Sequence, residues 1–571
     1  MISQEYVDQS WELVKRFWTH LNIDRPRIFA KEEEQGLGQE IACFDSATKQ
    51  IFVDEANLEE RLGVDALGTV LNHEAGHHKF CPYGLRMFFR LVANAYKEVR
   101  NIKSAKLIEN LFADLLVNTH LYSKGNPGIK RVYQKFSQQN DSQLWQFYMS
   151  TFEYMINQPG SILPKPAKEQ MRKEAAKVGD ILSKSLNKAG NWSKAIREFA
   201  KAAKKYMDQE QDDGGESECD AGSGGFEDTQ QTQDSSTYSQ EKQDKEDQEY
   251  GMLPIDKHDT EDFLPFDKDK TPDEQQGKLI EKEIKGLAKE VGHETFKEVV
   301  SGLGLGTKKQ ANIWFYRDLT RSFFLEMPKY IGSSSSQPRV PKKWRMSDPI
   351  SQLNVEYSLA LYGILLPGIT TYQFVSNLYG PDIKGDEAPD LLIVLDSSGS
   401  MPDPDAYDGS GNIDPEAYFS FPVLSAMIAA HAALDHGKKV AVVDFSDGYE
   451  YLDFTNQSND VDDAIVTYFG GGTVIPGDAV REAVSNHRYP THILIISDTE
   501  ITNLEEEVDN LECALKRARA GGTVFLDCEP SENTELLAEV GYDVQFTRNF
   551  EDLADLTLEK AKGLYEAHAG G

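Results

Sequence analysis

Cysteine is scarce in this chain: there are five, Cys43, Cys81, Cys219, Cys513 and Cys528, an odd number with no CxxC pair. That argues against a disulfide framework and suits a reducing cytosol better. Positive charge is short as well. Lys and Arg number 60 against 94 Asp and Glu, a formal net charge of −34. This argues against general nucleic-acid binding, because phosphate contacts need clustered cations. No apolar run approaches the length of a membrane span. Met1 to Leu21 carries Glu5, Asp8, Glu12 and Lys15, unlike a secretory signal. The expectation is a soluble, cytoplasmic protein with no nucleic-acid or membrane partner.

With 571 residues, the chain should hold two or more domains, each able to bury a core. Residues 1–206 read as mainly helical with a small β-hairpin, Gln39–Phe44 and Gln50–Asp54, around a short turn. Residues 207–265 are nearly devoid of aliphatic side chains, so they read as a disordered acidic linker. Charge is uneven across this boundary. Lys165 to Lys205 holds 12 basic and 4 acidic residues, a local +8, whereas Asp208 to Tyr250 holds 15 acidic and 2 basic, a local −13. These are two solvated surfaces of opposite sign, or a basic segment and a tether that associate. Residues 266–385 read as a helical connector with Trp314, Phe315, Tyr316, Phe323 and Phe324 as core candidates. Its Gly302-Leu-Gly-Leu-Gly306-Thr-Lys308 stretch lacks the Gly-Lys-Ser/Thr order of a phosphate loop and reads as a helix break.

From 386 to 571, short apolar runs alternate with helical patterns. Leu391–Leu395, Lys439–Val443, His492–Ile496 and Thr523–Leu526 suit strands buried on both faces. Helices are expected around Phe419–Leu434, Asp478–Asn486, Leu504–Ala518 and Asp552–Ala567. This is the pattern of an α/β, doubly wound parallel sheet.

Two motifs carry chemistry. His73-Glu74-Ala75-Gly76-His77 lies in an amphipathic helical pattern, so two histidines at i and i+4 share one face and can share a metal, usually zinc. Glu74 is then placed as a general base. The next helical segment offers the third ligand. Asn110, Asp114 and Asn118 form a polar row at i, i+4, i+8 beside an apolar face. Asp114 is preferred, Glu109 is second, and His120, His78 and Cys81 are weaker. The hairpin ahead of this helix is either an edge able to hold an extended substrate peptide or an ordinary hairpin packed on a helix. The second motif is Asp396-Ser397-Ser398-Gly399-Ser400 at the end of an expected strand, with Thr473 after three glycines and Asp498 closing another strand. Five oxygen-bearing side chains at one sheet rim suit Mg²⁺ or Ca²⁺ better than zinc.

The C-terminal block resembles the von Willebrand factor A domain, whose metal-ion-dependent adhesion site has the order DxSxS, Thr, Asp. By that resemblance Asp396, Ser398, Ser400 and Thr473 hold Mg²⁺, Asp498 acts directly or through water, and a sixth position takes an acidic group from a partner. The whole chain resembles bacterial and archaeal proteins that join a metallopeptidase domain to such a domain and accompany MoxR-type AAA+ ATPases. The residues carrying this are His73–His77, Asn110–Asn118 and Asp396–Ser400, with Trp314–Leu319 and Ile364–Pro367 resembling the family's connector more faintly. Asn110 stands where gluzincins carry Glu, so an Asp114 set is closer to aspzincins.

Two functions follow. One is a zincin-like zinc metallopeptidase whose von Willebrand A-like domain recruits a partner through Mg²⁺. The other is a non-catalytic adaptor of a MoxR-type or chelatase-type AAA+ ATPase, with a structural N-terminal metal site. The presence of a general-base candidate, Glu74, favours the first.

Overall fold

The computed structural model describes residues 2–29, 40–45, 49–138, 140–212, 274–326, 339–344, 353–355, 358, 371–376, 388–401, 420–498, 500–526, 531–546 and 550–565. The expected acidic linker beyond residue 212, Ile364–Pro367, Cys219 and Cys528 lie outside them. Cys43, Cys81 and Cys513 are free thiols. The chain forms two compact units, Met1–Ala311 and Asn312–Gly571. The stretch expected as a separate connector is therefore divided between them. No helix among the described residues is long and apolar enough to cross a membrane.

The first unit is a helical assembly. Its α1 is Gln4–Phe17, begun by Ser3, whose hydroxyl accepts from the Tyr6 amide. A three-stranded sheet follows, with order β1-β3-β2: β1 (Arg27–Phe29) runs parallel and β2 (Ala42–Asp45) antiparallel to β3 (Gln50–Asp54). This contains the expected hairpin and adds β1, too short to show a period. Next come α2 (Glu55–Arg61), α3 (Leu67–Lys79), α4 (Leu85–Val99), α5 (Ile102–Ser123), α6 (Gly128–Phe136), α7 (Gln143–Met155), α8 (Glu169–Ser185) and α9 (Trp192–Asp212).

The centre of this unit is α5, started by Asn101, whose side chain accepts from the Ser104 amide at 3.0 Å. Every residue from Ile108 to Thr119 is buried. A helix covered on all sides has no solvent face for its polar residues, so Glu109, Asn110, Asp114 and Asn118 stand in the core. Burying such groups is costly unless something partners them. The helices Glu274–Ile284, Leu287–Val291 and His293–Gly302 complete the unit, packing on α4, where Phe89 meets Phe296 at 5.5 Å.

The second unit is α/β. A six-stranded mixed sheet has the order β12-β11-β10-β7-β8-β9, from β7 (Asp390–Asp396), β8 (Val440–Phe445), β9 (Tyr449–Thr455), β10 (Thr491–Ser497), β11 (Arg519–Leu526) and β12 (Asp543–Phe546). All pairs are parallel except β8 with β9. The expectation of a parallel sheet is corrected at that edge: Asp447 and Gly448 sit in a tight turn that forces the chain straight back. Every residue of β7, β8 and β10 is buried, as expected of strands covered on both faces. Val480, Leu504 and Leu511 pack on one face with Leu392, Val443 and Ile495. The helix Phe421–Asp435, begun by Ser420 and Pro422, packs on the other beside Phe550–Tyr565.

A small antiparallel sheet, β4 (Arg339–Lys343), β5 (Leu353–Asn354) and β6 (Tyr372–Ser376), has order β4-β6-β5. It adds strands to residues 266–385, expected from the sequence as a helical connector. Val340, Tyr372, Phe374 and Val375 are strand-favouring residues in runs too short for a clear period. From the helix Lys308–Glu326, Arg317 reaches the buried carboxylate of Asp462, which also faces His431 Nε2 at 2.9 Å.

Candidate metal centre

Two helices supply the centre. The middle of α3 is buried from Val70 to His77, and its Gly76 lies against α5. A Cβ added at Gly76 would stand 2.5 Å from Val117 Cγ1 and 3.3 Å from the Trp18 ring. Close approach therefore demands glycine here, despite its cost in a helix interior. Trp18 Nε1 also donates to the Asn72 carbonyl at 3.0 Å, fixing α3 to the end of α1.

This contact brings His73, His77 and Asp114 together. His73 Nε2 and His77 Nε2 are 3.1 Å apart, and Asp114 Oδ1 lies 3.3 Å from the first and 3.1 Å from the second. A tetrahedral zinc ion with bonds near 2.05 Å sets its ligand atoms about 3.3 Å apart, so the donor set fits such an ion. It is also the single group of three or more His, Cys, Asp or Glu side chains among the described residues whose ligand atoms could share an ion. Relative exposure is 0 % at His73, 0 % at Glu74, 4 % at His77 and 5 % at Asp114. Burial raises the Asp114 carboxyl, but the facing His73 and His77 imidazoles outweigh it and hold the group far below the usual range.

A second layer orients these groups. Asn118 Oδ1 is 2.7 Å from His73 Nδ1, and the Cys81 carbonyl is 2.9 Å from His77 Nδ1. Tyr133 on α6 and Tyr148 on α7 donate to Asp114 Oδ2 at 3.1 and 3.3 Å. Such partners fix which imidazole nitrogen keeps its lone pair. No spacing rule could have found Tyr133 or Tyr148 in the sequence, because they reach the centre from other helices.

The remaining candidates stand elsewhere. Glu109 is buried on α5 but outside the group of three. His78 packs on Phe44 at 4.7 Å, and His120 stacks between Trp18 and Phe80. Cys81 offers its carbonyl; burial, with Glu109 and Asp114 nearby, pushes its thiol up and keeps it protonated.

In the second unit, the expected rim residues follow β7 and β10. The Ser398 amide donates to Asp396 Oδ1 at 2.9 Å, Ser497 Oγ to Asp396 Oδ2 at 2.6 Å, and the Ser398 and Ser400 hydroxyls are 3.1 Å apart. The glycine loop is tied to this turn by Gly399 N–H to Gly471 O and Gly470 N–H to Ser397 O, both 2.9 Å. Thr473 follows in that loop, its carbonyl accepting from the Thr502 amide at 2.9 Å. Burial raises the Asp396 carboxyl, the Ser398 and Ser497 hydrogen bonds oppose this, and the charge of Asp498 adds to it. One group escaped the sequence reading: Asp444 on β8 is buried, and among the described residues only the Ser397 side chain and the Phe445 amide lie near enough to oppose the effect of that burial. Burial, with the charges of Glu450 and Asp396, pushes it up to about 7.

No protein-family model matches the chain, and no curated protein matches it.

Proposed function

We propose that the first unit is a zinc-dependent peptidase and that the second recognises a protein partner through a divalent cation. The observation that carries the first half is the meeting of His73, His77 and Asp114 around one point, with Glu74 between the two histidines on α3. Three protein ligands leave one coordination position for water or substrate, as in catalytic zinc sites. Zinc held there supplies Lewis acidity toward a scissile carbonyl and its attacking water. Glu74 accepts that water's proton and returns it to the departing amine nitrogen. The edge strand β2, which packs beside α3, offers main-chain groups to an extended peptide.

For the second unit, the reading is a von Willebrand A-like domain with Mg²⁺ held by Asp396, Ser398, Ser400 and Thr473, and Asp498 close by. The hard oxygen donors at the strand ends support it. The partner implied by the resemblance is a MoxR-type AAA+ ATPase, bound through an acidic group.

A second reading is favoured by the near-complete burial of His73, Glu74, His77 and Asp114, which is the habit of a structural metal site. It makes the chain a non-catalytic adaptor for the ATPase. The test uses the purified full chain, with zinc content measured beside His77→Ala and peptide hydrolysis measured beside Glu74→Gln. The peptidase reading expects one zinc, lost in the first variant, and hydrolysis lost in the second with zinc retained. Zinc bound without any Glu74-dependent hydrolysis would leave the adaptor, for which Asp396→Ala abolishes ATPase capture.

A further inference from the structure

Asn118, one turn beyond Asp114 on α5 and 1 % exposed, touches two parts of the centre at once. Its Oδ1 is 2.7 Å from His73 Nδ1, and its Nδ2 is 2.7 Å from Tyr133 Oη, which in turn is 3.1 Å from Asp114 Oδ2. A carboxamide has one accepting end and one donating end, so its orientation fixes the direction of every proton along this path.

With Oδ1 toward His73, the ring proton sits on Nδ1 and the Nε2 lone pair faces His77 and Asp114. Asn118 Nδ2 then donates to Tyr133 Oη. The phenol proton then has two acceptors in reach, Asp114 Oδ2 at 3.1 Å and Tyr148 Oη at 3.2 Å; the carboxylate is the stronger acceptor and takes it, so Oδ1 still faces the two histidines. Turned over, Nδ2 would donate to His73 Nδ1 and drive the ring proton onto Nε2. The Tyr133 proton would be drawn to Asn118, and Asp114 would lose a donor. His73 could not then bind a cation. One amide orientation thus prepares two donor atoms on two helices.

We propose that Asn118 is a positioning residue that readies His73 and Asp114 for a divalent cation through one directional relay, His73 to Asn118 to Tyr133 to Asp114. This rests on the reading of His73, His77 and Asp114 as a metal centre. His77 is set independently, by the main-chain carbonyl of Cys81. Tyr148 gives Asp114 Oδ2 a second donor at 3.3 Å, so losing Tyr133 alone is the milder lesion.

The test compares the full-length parent, Asn118→Leu, Tyr133→Phe and the double variant. Zinc affinity is read by competition with a chromophoric chelator, and site geometry by the visible spectrum of the Co²⁺ forms. Outer-shell partners of this kind are worth about tenfold to a hundredfold in affinity. Asn118→Leu is expected to lose that much and to change the Co²⁺ bands. Tyr133→Phe loses less, and costs less again in the Asn118→Leu background than in the parent, because the direction of its proton is no longer set there. Losses that multiply fully in the double variant would make these two separate contacts and overturn the relay, as would parental affinity in Asn118→Leu. Should Asn118→Leu not fold, Tyr133→Phe decides: weaker zinc and altered Co²⁺ bands support the relay, and parental values overturn it. Zinc bound equally by all four proteins removes only the relay. A parent that binds no zinc removes the metal-centre reading and the relay with it.

Discussion

Asp444→Asn should stabilise the second unit, and by an amount that depends on pH in a definite direction. The Asp444 carboxyl is buried on β8 and titrates near 7 in place of its ordinary 3.8. Between those values the folded state keeps a proton that the unfolded chain has released. Stability therefore falls as pH rises through this window, by roughly 1.4 kcal/mol per pH unit, and levels off above pH 7. From pH 5 to pH 8 the parent should lose about 3 kcal/mol from this group alone. Asparagine at 444 is neutral throughout, so the variant lacks this slope. The two proteins should be nearly equal at pH 4 and should separate by up to about 4 kcal/mol at pH 8, with the variant the more stable. Hydrogen exchange of the amides in Val440–Phe445, referenced to unstructured rates at each pH, reads this directly, since a fully buried strand exchanges by opening of its sheet. Every other titrating group is common to both proteins and cancels in the difference. Parallel pH profiles, or a variant less stable at pH 8, would refute the reasoning.

His492 should act with the opposite sign: burial lowers it to about 4, so stability declines as pH falls from 6.5 toward 4, by about 3 kcal/mol. In exchange measurements on β10, His492→Gln should flatten that acid limb, and an unchanged limb counts against the assignment. Asp462→Ala leaves the buried Arg317 without its carboxylate and should cost about 3–5 kcal/mol in urea unfolding; a loss under 1 kcal/mol would show the pair to be idle. Gly76→Ala should destabilise the first unit by about 1–3 kcal/mol and weaken zinc binding, through its overlap with Val117. Adding Val117→Ala should restore both, and failure to restore either would mean that the α3–α5 spacing is not what Gly76 protects.

Where a short pattern was enough, the sequence was readable. His73 and His77 share a helix, and Asp114 was legible because a polar row on an otherwise apolar segment has to answer to something. Three core strands, β7, β8 and β10, were legible as apolar runs because both faces of each are covered. The edge strand β9 was not, since Tyr449, Glu450 and Tyr451 are exposed and carry no burial signal. Nor was the division of residues 266–385 between two units, because which core a helix joins is decided by distant packing. Asp444 was hidden for a related reason: an acid inside the run Val440–Phe445 looks like the end of a strand, not a buried charge.

The close approach at Gly76 also bears on how portable the centre is. All three side chains of the candidate centre come from α3 and α5, and between those helices a glycine, Gly76, lies directly against a valine, Val117. The intervening α4 contributes none of the three. A designer could therefore graft two helical segments, residues 70–81 and 110–118, onto any helix pair that crosses at the same separation, adding two phenols for the aspartate. By the same token, changes of length in the short connection between α4 and α5 need not move a donor atom, provided that the crossing itself is kept.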